Sequence, residues 1–320
     1  MSSVNETLNY TNKSSIVYNE PISNAVKFWI YLIFLIPSIS CSVFSLCYLL
    51  LHRTLRHALH NHAIIIFLFI GLIYEVTIYP WMLYYYRQKG IWRRTQFFCT
   101  LWVFIDWGLY FTQTILFAWA TIERHIFIFH DRWVSTKKKR FLVHYLPLII
   151  LTLYCLTYYI LVIFFPPCEN SFNNFQKICV ESCLTKHFSL YTYDTIVHQI
   201  LPNLIIVAFS IGLLIRICWQ KHRVGQSLQW RKHWKMTIQL LFVSIIYLIF
   251  SLPLTIVHFM DLCGVPRSVT LRFTQYAQFF NYCTILLCPI ASIMTLPQLK
   301  ENRSKFVRFI TRKRTIAPMG

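Results

Sequence analysis

Apolar positions along the chain gather into seven long runs separated by short polar connections. The runs are Phe28–Leu51, Asn61–Tyr85, Cys99–Phe129, Phe141–Phe165, Thr195–Trp219, Met236–Met260 and Val269–Leu296. Each is long enough to cross a hydrocarbon layer, which takes about 20 apolar residues in a helix, and the first contains no charged residue. Ahead of them stand 27 polar residues without the apolar core of a cleavable signal peptide, so the first run is expected to serve as its own insertion signal. Behind them, Leu299, Phe306, Phe309 and Ile310 fall on one helical stripe among Lys300, Arg303, Lys305, Arg308, Arg312 and Lys313. That pattern predicts a short amphipathic helix on an anionic membrane surface, the alternative being a disordered basic tail. The expected fold is an all-α membrane protein: a seven-transmembrane helix bundle over 28–296, a tail over 1–27, and a short amphipathic C-terminal helix and tail over 297–320.

Composition agrees with this pattern. The chain is 56% hydrophobic and only 13% charged, with mean hydropathy +0.50, which excludes an ordinary soluble domain. Seven glycines and twelve prolines leave no flexible linker and no repeat to divide it. The net charge of +20 would suit nucleic acid only if it formed a water-facing patch, and instead the basic residues lie between the apolar runs, so no nucleic-acid partner is expected. Twenty-one of the thirty-one lysines and arginines fall on one side of the predicted membrane, at Arg53–Arg56, Arg124–Arg140, Arg216–Lys235 and Lys300–Arg314. Basic connections are retained in the cytoplasm, which puts the N-terminus outside. The sequons at Asn5, Asn9 and Asn12 point the same way, as glycosylation sites of an extracellular tail.

Motifs for catalysis are missing: the sequence holds no phosphate loop, dinucleotide fingerprint, zinc-protease helix or nucleophile elbow. No enzyme activity and no cofactor is therefore expected. His52, His57, His60 and His62 cluster at the first connection without thiolates or carboxylates beside them, which favours headgroup contact over a metal. Cys99 opens the third run, and the connection after the fourth carries Cys168, Cys179 and Cys183 on the same oxidising side. A disulfide from Cys99 to Cys179 or Cys183 would staple that loop over the bundle, and spacing does not choose between the two. Polar residues inside membrane helices usually pair, line water or bind something. Here they include Glu75, Asp106, Gln113, His198, His258, Gln275, Gln278, Asn281 and Tyr282, mostly in the outer half, and they suggest a polar cavity open to the outside.

Glu123-Arg124-His125 at the inner end of the third run resembles the Asp/Glu-Arg-Tyr motif of rhodopsin-like G-protein-coupled receptors, and the interval from Cys99 to Arg124 matches that family. Pro202, Phe250-Ser251-Leu252-Pro253 and Cys288-Pro289-Ile290-Ala291-Ser292 resemble its kinks in the fifth, sixth and seventh helices. The likeness spans all seven runs and is divergent. Ser251 stands for a tryptophan, Cys288 and Ser292 for Asn and Tyr, and Gly71 for the aspartate of the family's sodium site. The resemblance implies hinges at Pro202, Pro253 and Pro289, with Glu123, Arg124 and His125 as a switch facing a heterotrimeric G protein and Arg124 paired at rest with Glu123 and Asp131. A transporter or channel, or a seven-helix scaffold without signalling, are the competing classes.

For the ligand, the resemblance points to Asp106, seven residues and about two turns past Cys99, facing Tyr282 from the seventh helix as in amine receptors and some peptide receptors. Leu254 and Thr255 stand where an amine cage would carry aromatics, so a basic peptide or larger cationic molecule is favoured, with His258, Gln275 and Gln278 as further contacts. The alternative is that Asp106 bonds only to neighbours such as Tyr110, Gln278 or Tyr282.

Overall fold

The structure, a computed structural model, describes residues 21–88, 92–173, 177–223 and 241–295. The three N-terminal sequons, the connection 224–240 and the expected C-terminal amphipathic helix lie outside the described residues. The described chain forms an all-α bundle of seven membrane-crossing helices, one of them sharply bent. They are α1 (Asn24–Leu51), α2 (Leu59–Arg87), α3 (Gln96–Phe129), α4 (Lys137–Phe164), α5 (Phe188–Arg216), α6 (Leu241–Phe250 with Leu252–Leu262) and α7 (Arg267–Thr295). Side-chain oxygens fix several starts by accepting from otherwise orphaned N–H groups: Ser23 takes Val26, Thr95 takes Phe98 and Thr136 takes Lys139, each at 3.3 Å.

Helix α3 runs through the middle and packs on α2, α4 and α5, while α1 lies against α2 and α7. Of α3's apolar window 78% is buried, against 28% for α4, so α3 is enclosed by protein where α4 mostly meets lipid. The outward positions are accordingly apolar, as at Ile33, Phe69, Leu153, Leu204 and Ile245. Lipid gives no hydrophobic reason for helices to associate, so small and polar side chains join them from within. Ser38 and Ser42 of α1 donate to Glu75 of α2 at 2.5 and 3.0 Å, and Ser210 of α5 bonds Ser244 of α6 at 2.9 Å.

Among the described residues, three helices contain a widened, π-helical turn: Phe104–Leu109 in α3, Phe141–Tyr145 in α4 and Thr195–Ile200 in α5. The last two run into Pro147 and Pro202. A proline offers no N–H to the carbonyl four residues back, and a wider turn lets that carbonyl bond one residue further along. Helix α6 instead breaks at Ser251, two residues before Pro253, with 47° between its halves. Pro202, Pro253 and Pro289 thus all sit inside the bundle, and the bend lies at the second. Helix α5 begins at Phe188, a full seven residues before the apolar run that announced it, because Phe188–Asp194 is helix that mixes Ser, Thr, Tyr and Asp with Phe and Leu.

One end of the bundle is closed by the α4–α5 connection. Its strands β1 (Ser171–Phe172) and β2 (Val180–Glu181) pair antiparallel, Ser171 with Glu181 and Phe172 with Val180. Disulfides Cys99–Cys179 and Cys168–Cys183 fasten the connection to α3 and to itself. The sequence alternatives for Cys99 are therefore resolved to Cys179, and Cys168 and Cys183 form a second bridge.

Candidate ligand cavity and switch region

Beneath the stapled connection lies a cavity of about 330 Å3, lined by α3, α5, α6 and α7, by Tyr74 of α2, and by Lys177, Ile178, Leu184 and Thr185 of the connection. That volume is at the small end of ordinary ligand pockets, roughly 300–1,000 Å3. Asp106 is buried in it, on the widened turn of α3. The Tyr74 hydroxyl of α2 donates to its Oδ1, and the Tyr282 hydroxyl of α7 to its Oδ2 at 2.8 Å. The Lys177 ammonium in turn donates to the Tyr282 oxygen at 2.8 Å and lies 4.0 Å from the centre of that ring. The carbonyl of Lys177 accepts from Arg94 Nη1 at 2.6 Å. Arg94 sits among Tyr85, Trp92 and Trp102, 5.3–5.4 Å from their ring centres, and burial holds its guanidinium below the usual arginine range.

Deeper in the cavity Tyr110 donates to Asn281 at 2.6 Å and meets Ser251 at 3.0 Å, while Ser251 donates to Asn281 at 2.9 Å. One small hydroxyl at the bend of α6 is thus tied to α3 and α7 together. On the α5 side, Asp194 accepts from Tyr159 at 2.8 Å and lies 3.0 Å from Nδ1 of His198, whose ring stacks on Tyr154 and lies tilted against Tyr158. His258 approaches Tyr191 at 3.3 Å, and Asn203 donates to Thr255 at 2.8 Å.

Of the residues named from sequence, Asp106, Tyr282, His258, Gln278, His198 and Asn281 line this cavity. Gln275 does not; it lies nearly one turn before Gln278 on α7. Glu75 turns to α1 instead, and Gln113 donates to the Phe67 carbonyl at 3.0 Å. The Gln113 amide nitrogen would stand 3.0 Å from a Cβ on Gly71, so an amide fills the space beside the position where the resembled family carries its sodium-binding carboxylate. Tyr74 and Lys177 were not legible as site residues, since a tyrosine in an apolar run and a lysine in a loop carry no signal of where they point.

At the opposite end of α3, Glu123 and Arg124 are both buried. Asp131's side chain lies outside the described residues. Glu123 contacts His144 Nδ1 of α4, His144 Nε2 lies 2.9 Å from His62 Nδ1 of α2, and His62 Nε2 lies 2.8 Å from the Arg56 carbonyl. His62 is therefore part of an internal chain, contrary to the headgroup contact expected for its cluster. The tautomers follow from the end of the chain. The carbonyl can only accept, so His62 Nε2 carries a hydrogen and, in the neutral ring, its Nδ1 accepts from His144 Nε2–H. What remains between His144 Nδ1 and Glu123 is a single hydrogen, carried by one of the two. His125 packs its ring on Phe129 and Phe209, 4.8 and 5.7 Å between centres.

Residues 46–294 match the family described as 7 transmembrane receptor (rhodopsin family). No curated protein matches the chain.

Proposed function

The chain belongs to the rhodopsin family of seven-transmembrane receptors, and from that premise we propose that it transduces an extracellular ligand into activation of a heterotrimeric G protein at the plasma membrane. Its N-terminus, glycosylated at Asn5, Asn9 and Asn12, and the disulfide-closed end face outward; the Glu123-Arg124-His125 end faces the cytoplasm. No enzymatic activity is part of this reading.

One observation carries the proposal: α3 bears both the cavity floor at Asp106 and the buried switch at Arg124, eighteen residues and roughly 27 Å apart along a single helix. A ligand resting on Asp106, Tyr282, His258 and Gln278 touches α3, α6 and α7 at once. The bend at Ser251 is where the inner half of α6 would swing away from α3 and uncover Arg124. Such a change needs a ligand that binds the open arrangement more tightly than the closed one, and the Tyr110–Ser251–Asn281 cluster lies within the cavity where that preference would be felt.

A G-protein reporter in cells expressing Arg124→Ala at unchanged surface level tests this. We expect signalling, ligand-free or agonist-driven, to be lost. Full coupling by that variant would overturn the assignment of the switch.

A further inference from the structure

Read from sequence alone, Asp106 is an acid awaiting a cation from outside. In the folded chain it already has one from inside. Lys177 stands two residues before Cys179, whose disulfide reaches Cys99 near the start of α3, and its own carbonyl is held by Arg94 at 2.6 Å. Its backbone is thus fastened at two nearby points, and the side chain reaches down to the floor of the cavity. The bonds there run in one direction: the ammonium donates to the Tyr282 oxygen, and the Tyr282 hydroxyl donates to Asp106. Tyr74 supplies the other carboxylate oxygen. One negative and one positive charge are paired through a shared phenol in a buried site.

From this geometry we propose that Lys177 is the resident cation of the Asp106 subsite, and that the external ligand brings no cationic group to it. The inference rests on reading the cavity as the ligand site. A second ammonium would have to expel Lys177 or leave a net positive charge in a medium that solvates it poorly. The other acid in the wall, Asp194, accepts from Tyr159 and has His198 Nδ1 3.0 Å away, so it too already stands beside internal groups. What the rest of the wall offers is hydrogen bonding in both senses, from Gln278, Asn203, Thr255 and His258. An uncharged polar molecule small enough for about 330 Å3 suits that wall. A basic peptide or a larger cationic molecule, favoured by the sequence reading, does not.

The test uses the purified full-length receptor in detergent and its thermal midpoint, with ethylammonium chloride as the probe and sodium chloride at equal ionic strength as the control. We expect the wild type to be indifferent to ethylammonium. Lys177→Ala should melt several degrees lower and recover most of the loss in ethylammonium, and adding Asp106→Asn to that variant should abolish the recovery. A wild-type receptor stabilised by ethylammonium, or a Lys177→Ala receptor indifferent to it, would overturn the proposal. Should Lys177→Ala fail to fold, Lys177→Gln keeps a donor for Tyr282 without the charge. Asp106→Asn should then lower the midpoint more beside Lys177 than beside the glutamine, and equal losses would refute a charge pair. The readout needs neither agonist nor G protein. Failure here leaves the Arg124 test standing, and failure there leaves this one intact.

Discussion

His144 shows how a single residue acquires its role from what stands beside it. In sequence it is a histidine near the basic start of the fourth apolar run; in the fold it is the partner of Glu123, buried with it. Removing it leaves the buried Glu123 carboxyl without its hydrogen-bond partner, a loss of about 1–3 kcal/mol for such groups. His144→Ala should therefore lower the thermal midpoint of the purified receptor, and adding Glu123→Gln should return part of the loss; a midpoint that does not move would show that the pair contributes nothing. Ser251 is the second residue with several dependants, bonded to Tyr110 and Asn281 and 3.3 Å from Thr284. Ser251→Ala cuts these ties at the bend of α6, so ligand-free reporter signal should rise at equal surface expression, and an unchanged signal would separate the cluster from activation. The family resemblance was enough to set Asp106 opposite Tyr282. It could not supply Tyr74, Lys177 or His144, because which face of a neighbouring helix or loop meets a residue depends on rotations that no single run encodes.

At the scale of elements, the apolar runs located all seven helices, but the local chemistry decided where they start. Helix α5 reaches back to Phe188 through residues too polar to count as membrane by composition. The widened turns were invisible too, since an extra residue in a helix leaves no mark on hydropathy; only Pro147 and Pro202 hinted at two of them. The loop bridges were half legible: four cysteines on one side were evident and their pairing was not. That pairing sets an order of importance. Cys99–Cys179 joins positions 80 residues apart and Cys168–Cys183 positions 15 apart, which by loop-closure entropy corresponds to about 4.5 against about 3 kcal/mol. The longer bridge also fixes the backbone beside Lys177. Replacing Cys99 and Cys179 by alanine should consequently depress surface expression more than replacing Cys168 and Cys183, as flow cytometry of an N-terminal tag would measure.

The whole molecule has two chemically unlike ends joined by α3, and the asymmetry of its basic residues argues how they are oriented. An N-terminal epitope should be stained on intact cells and a C-terminal one only after permeabilisation; the reverse pattern would exclude the receptor orientation. Family membership was legible because Glu123-Arg124, the prolines and Cys99 keep their spacing, whereas the interior that replaces the lost Trp, Asn, Tyr and Asp positions had to be seen folded. The widened turn at Phe104–Leu109 bears on how such a chain tolerates insertion and deletion over evolutionary time. It is one residue more than an ordinary helix needs, so the stretches before and after it are already in phase. Deleting Ile105 would close the turn to regular helix and leave Gln113 and Arg124 facing where they do now. Deleting Ile115 instead would rotate Arg124 by about 100° about the axis and carry it out of the bundle. A scan of single-residue deletions along α3 should accordingly find reporter signal surviving within that turn at positions other than Asp106, and lost below it.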